Sequence, residues 1–157
     1  MILDDLYQEI ILDHYKNPRN RGKLEKPDIH EHLKNPFCGD EIDLDVRLNE
    51  NKTAIEEIRF SGKGCSISQA SASMLTEFLK DKPIEEARRL VELFKKMLRG
   101  ETTPEEEEEL GELQAFKGVS KFPVRIKCAT LVWNILEQGL NEFSRQNRSS
   151  ETESKKT

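Results

Sequence analysis

From Glu41 to Leu48 the chain alternates without a break: Ile42, Leu44, Val46 and Leu48 are apolar, and Glu41, Asp43, Asp45 and Arg47 between them are charged. A side-chain period of two belongs to a strand with one buried and one wet face, and a helix does not satisfy it. Asn49-Glu50-Asn51-Lys52 supplies turn residues, and 54–61 returns as a partner strand, which predicts an antiparallel hairpin. The alternation slips between Ile55 and Ile58, the mark of a bulge or a late strand start. A shorter strand falls at 29–33.

The rest reads as helix. At the front, Leu3, Leu6, Tyr7, Ile10, Ile11 and His14 recur at helical spacing across 3–16, and Pro18 and Gly22 end the run. After the hairpin, Ile67, Ala70, Met74, Leu75 and Phe78 stripe one helix, whose serines and alanines permit close packing. Ile84, Ala87, Leu90, Val91, Phe94 and Met97 stripe a second that stops at Gly100. Thr103-Pro104-Glu105-Glu106 reads as an N-cap, a proline in the first helical position and a capping-box glutamate. Val124, Cys128, Leu131, Val132, Ile135, Leu136, Leu140 and Phe143 mark a long final helix. Strands first and helices afterwards predict an α+β fold, with a small antiparallel sheet of about three strands and helices packed on one face. One domain over 1–145 is expected, then a polar tail at 146–157 without apolar anchors, expected to be disordered.

Composition narrows the function classes. A chain of 157 residues buries a core without staples. A net charge of -5 and the lack of an aromatic-interleaved basic stripe argue against nucleic acid. No apolar run reaches membrane-spanning length, and the N-terminus carries no basic, apolar leader. Three cysteines, an odd number with no secretory signal, suit a reducing cytoplasm with free thiols. Gly62-Lys63-Gly64 is not a P-loop, because the G-x-x-x-x-G-K-[ST] spacing is missing.

The candidate chemistry lies with those cysteines. Cys38 and Asp40 stand two apart around Gly39, just before the strand; Cys65 stands where a strand hands over to a helix; Cys128 stands in the first turns of the last helix. A sulfur at a helix N-terminus is drawn toward thiolate. Three thiols and a carboxylate are four donors, the number a tetrahedral ion accepts. Their charge around a divalent ion sums to about -2, and Arg125 and Lys127 are placed by sequence to offset it. Zinc and a [2Fe–2S] core both suit such a set. Spacing alone leaves three readings open: buried cysteines acting as small apolar side chains, a structural zinc site, or a functional one. His14 reads as a satisfied histidine on the first helix's inner face, and His30 and His32 as sharing one face of a strand.

These residues also resemble a family. Asp13-His14-Tyr15, Asn17-Pro18-Arg19-Asn20 and Gly22, then Asn35-Pro36 with Cys38-Gly39-Asp40, then Gly62 to Ile67 with Ser68, Ala70 and Ser71, and finally Cys128-Ala129 are similar to the signatures of the U-type iron–sulfur assembly proteins (SufU/IscU, NifU N-terminal-like). The resemblance spans roughly 3–145 and implies the family's small antiparallel sheet with helices against it. Three departures set the chain apart from the IscU scaffold branch. Lys127 stands where that branch has a histidine; Phe122-Pro123-Val124-Arg125 stands in place of its Leu-Pro-Pro-Val-Lys segment; and residues at 99–119 are extra. All three look like the SufU branch.

The resemblance implies a zinc-dependent sulfurtransferase, with Zn2+ held by Cys38, Asp40, Cys65 and Cys128. Its partner would be a SufS-type, pyridoxal-phosphate cysteine desulfurase. Cys38, exchanged at the metal for a ligand from that enzyme, would accept the persulfide sulfur, which passes on to a cluster-assembly complex or to apo iron–sulfur proteins. The alternative it implies is a scaffold, not an enzyme, that builds a [2Fe–2S] cluster on the same residues, with Cys38, Cys65 and Cys128 as cluster ligands. A purely structural zinc adaptor is a third.

Overall fold

The computed structural model describes residues 2–36 and 39–156, with side chains for 5–36 and 39–147. Helix α1 (Ile2–Lys16) precedes three strands, β1 (Ile29–Lys34), β2 (Glu41–Leu48) and β3 (Ile55–Lys63). Helices α2 (Ser66–Leu79), α3 (Ile84–Leu98) and α4 (Pro104–Leu110) follow, then a 3₁₀ segment (Gly111–Lys121) and α5 (Pro123–Lys156). The sheet order is β1-β2-β3, antiparallel throughout. This is the α+β architecture that the alternation predicts.

The apolar face of β2 is sealed: Ile42, Leu44 and Val46 have no exposure, and α5 packs across it. Each such aliphatic side chain contributes about 1.5–3 kcal/mol when fully buried. The slip in β3 is a bulge, since Arg47 faces Glu57 while Leu48 faces Ile55, leaving Glu56 unmatched. It keeps Ile55, Ile58 and Phe60 all on the core side. The opposite face is not uniformly wet, however. Asp45 is buried because the segment after α1 crosses that face: Arg21 bridges to Phe60, and the Leu24 N–H donates to Asp45 Oδ2 at 3.0 Å. His30 pairs with the same carboxylate, and His32 pairs with Asp43.

Helix α2 is buried over almost its whole surface, between β3, α1 and α5. Its small residues let three neighbours approach, and its buried hydroxyls find partners. Ser71 Oγ donates to the Ala129 carbonyl at 2.6 Å and accepts the Trp133 indole N–H at 3.0 Å. Ser73 Oγ accepts the Arg19 N–H at 2.9 Å and bonds His14 Nδ1 at 2.8 Å. His14 is thus the satisfied inner-face histidine expected.

Two expectations change. Leu6 is half exposed, because the inward line of α1 runs through Tyr7, Ile10, Ile11 and His14, and Leu6 sits one residue's rotation off it; the side chain of Leu3 is outside the described residues. Val124 is exposed rather than on the packed stripe of α5. Helical backbone runs on to Lys156.

The extra residues are core, not appendage. Thr103 caps α4 with the full capping box to Glu106. Leu110, Leu113, Phe116 and Val119 are buried. Phe116 meets Phe94 edge-on at 5.9 Å, and Phe94 stacks on Trp133 at 4.2 Å.

Candidate metal centre

Two strand ends and two helix starts meet at one end of the molecule. The β1–β2 loop is closed by Asn35 N–H to the Asp40 carbonyl at 2.7 Å and Gly39 N–H to the Asn35 carbonyl at 2.9 Å. Gly39 takes φ +71°, a left-handed backbone that a glycine adopts without steric cost. The loop delivers Asp40, fully buried, at the start of β2. Cys38 belongs to the same loop but lies outside the described residues.

Cys65 is the N-cap of α2, and its Sγ accepts the Ser68 N–H at 3.4 Å. The sulfur therefore sits at the positive end of the helix, as the strand-to-helix handover predicts. Cys128 is buried in the second turn of α5. Ligand atoms of Asp40, Cys65 and Cys128 all lie within 4.8 Å of one another. Zinc bonds of about 2.0–2.3 Å draw such donors to within roughly 4 Å, so small side-chain movement closes the trio on an ion.

Asp40 shows how the site is ordered. Its Oδ1 accepts the Cys65 backbone N–H at 2.8 Å, while Oδ2 stands 3.8 Å from Cys65 Sγ as acceptor of the thiol. One oxygen fixes the carboxylate and the other faces the sulfur, the kind of outer hydrogen bonding that orients a metal ligand. Gly64 makes room for this: a Cβ there would stand 2.5 Å from both Asp40 Oδ1 and Ser68 Oγ. Gly62 is equally constrained, since a Cβ would come within 2.1 Å of the Glu41 carbonyl oxygen.

The donor set, two sulfurs and a buried carboxylate, fits a thiophilic divalent ion. Arg125 and Lys127, expected near this charge, are exposed on α5, and the Arg125 guanidinium lies 5.0 Å over the Phe122 ring. Sequence reasoning passed over Gly64, Ser68 and Ser71 as parts of the site's support. A glycine immediately before the capping cysteine and a serine three residues after it were the available signals.

The geometry is that of a metal-capable centre at the end of a small antiparallel sheet backed by helices. The chain belongs to the NifU-like N terminal domain family, whose pattern matches residues 6–129. Over 138 residues it is 47% identical to the zinc-dependent sulfurtransferase SufU of Bacillus subtilis, covering 88% of this chain and 91% of that one. It is 44% identical over 138 residues to the iron-sulfur cluster assembly scaffold protein IscU of Streptococcus pyogenes, covering 88% and 84%. A crystal structure titled as a putative iron-sulfur cluster assembly scaffold protein for the SUF system, from Fervidobacterium islandicum, superposes with a TM-score of 0.78 at 34% identity, over 84% of this chain and 94% of that one. A NifU-like N-terminal structure from Brucella abortus reaches 0.79 at 19% identity over 92% and 99%, a likeness of fold. The resemblance read from the motifs is thereby borne out. No described helix is long and apolar enough to cross a membrane.

Proposed function

We propose that this protein is a zinc-dependent sulfurtransferase of iron–sulfur cluster assembly, taking sulfur from a SufS-type cysteine desulfurase and passing it on for cluster biogenesis. The observation that carries the reading is the donor trio itself, with a buried carboxylate oriented toward a helix-capping sulfur. Asp40, Cys65 and Cys128 hold the ion, with Cys38 as the fourth ligand and the sulfur acceptor. When bound, zinc keeps the sulfurs as thiolates and has no redox chemistry with which to oxidise them.

In the transfer, the Cys38 thiolate attacks the outer sulfur of the donor's persulfide. A new S–S bond forms on Cys38, the donor's S–S bond breaks, and the electron pair leaves on the donor's cysteine as thiolate. The sulfur stays at its persulfide oxidation level throughout. Gly39 next to Cys38, at positive φ, supports assigning the nucleophile to this loop rather than to the helix-anchored cysteines. The trio also supports holding a [2Fe–2S] cluster, which the names of the IscU relatives favour.

The deciding experiment is desulfurase turnover on cysteine with zinc-loaded or metal-stripped protein added. Strong stimulation by the zinc form alone, with persulfide on Cys38 lost in Cys38→Ser, is the expected result. No stimulation, but a transferable cluster formed from iron and sulfide, would put the scaffold reading first.

A further inference from the structure

Beside the metal centre is a cavity of about 250 Å³ that the proposed transfer leaves unused. Tyr15 and Arg21 line it with Gly62, Lys63, Gly64 and, from α2, Gln69. Two of these side chains are cations and none is acidic. The first turn of α2 carries no acid either. Asp40 touches Gly64, but its Oδ1 is committed to the Cys65 N–H.

Gln69 supplies the second observation. It is only 7% exposed. Its Oε1 accepts from Arg21 Nη1 at 2.9 Å, and Arg21 Nη2 donates to the Gly62 carbonyl at 2.7 Å. That contact fixes the amide's orientation, since reversing it would set N–H against N–H. Gln69 Nε2 is then left buried with no acceptor among the described residues. The amide nitrogen itself is closed off from the cavity, so Gln69 serves it by holding the Arg21 guanidinium at its wall. Arg21 keeps further N–H groups beyond the two in use.

We propose that this cavity is a carboxylate-binding pocket, recognising the group through Arg21 and Lys63, with Gln69 positioning the guanidinium. A singly charged, planar group fits better than a phosphate dianion, because the neighbouring centre already gathers carboxylate and thiolate charge. The volume suits either an acidic side chain of a docked protein or a free carboxylate of amino-acid size. A protein-borne carboxylate seated here would register the sulfur donor beside the metal centre, which rests on the sulfur-transfer reading above.

The test has two arms. In the first, acetate is titrated into the zinc-loaded, nitrogen-15-labelled full chain against equal chloride, following the Gln69 side-chain amide, assigned with Gln69→Met. A saturable shift with acetate alone, lost in Lys63→Glu, establishes a pocket for free carboxylates. In the second, Lys63→Glu and Gln69→Met are titrated into the desulfurase assay. A half-saturating concentration raised about tenfold in both, with a flat acetate titration, establishes a protein-borne carboxylate. A flat acetate titration with unchanged half-saturation overturns the pocket. If the wild type does not stimulate the desulfurase at all, the sulfur-transfer reading fails, and a flat acetate titration then overturns the pocket by itself.

Discussion

Asp40 divides its two oxygens between a backbone and a sulfur, and each half of that division can be tested. With the ligand removed in Asp40→Ala, zinc affinity should fall, read by competition with a chelator. The metal-free variant should also lose about 1–3 kcal/mol of stability in urea unfolding, because the Cys65 N–H loses its acceptor. A metal ligand without the structural role would show only the first effect. His14 makes a different case. Burial, and after it the nearby Arg19 charge, push its pKa below the ordinary histidine value, against the opposing pull of Glu77, Glu112 and Asp13. The folded chain therefore resists a proton that the unfolded chain accepts near pH ~6.5. This contribution is full above that pH and declines as pH drops below it. Wild type should lose more stability than His14→Asn between pH 7.5 and pH 5.5, measured by urea midpoint; an equal loss would remove His14 from the account.

At the scale of elements, α2 and α5 carry the two helix-borne sulfurs, and Ser71 clasps one to the other beside Cys128 through the Ala129 carbonyl and the Trp133 indole. Ser71→Ala leaves a buried indole N–H without its acceptor and should cost about 1–3 kcal/mol. It should also weaken zinc retention, with Ser71→Thr restoring part of it, since the helix spacing sets the distance between sulfurs. The sequence made the elements themselves easy to read. Strict alternation marked β2, and Thr103-Pro104-Glu105-Glu106 spelled out a cap. The donors Asp40, Cys65 and Cys128 were legible because their residue types are few and their settings distinctive. Ser71, Gly64 and Gln69 were not, because a serine, a glycine or a glutamine acquires a role only from the neighbours that tertiary packing brings. Leu6 misled for the mirror reason: a helical stripe fixes which residues share a face but not where the packed arc ends.

At the scale of the whole molecule, residues 99–119 are tied into the core by Phe116, Phe94 and Trp133, so the insertion shares its stability with the helix that bears Cys128. The donors are also spread widely along the chain: Asp40 comes from the sheet, Cys65 from the strand-to-helix junction and Cys128 from the last helix. No two of them are neighbours in sequence, so no fragment ending before α5 can present the full trio. On the proposed zinc-binding reading, the ion would be gripped during synthesis only after the final helix has emerged and docked. Metal capture would then be a checkpoint on completed assembly, and a bound ion would act as a cross-link that closes most of the chain into one loop, stiffening the finished fold against reopening.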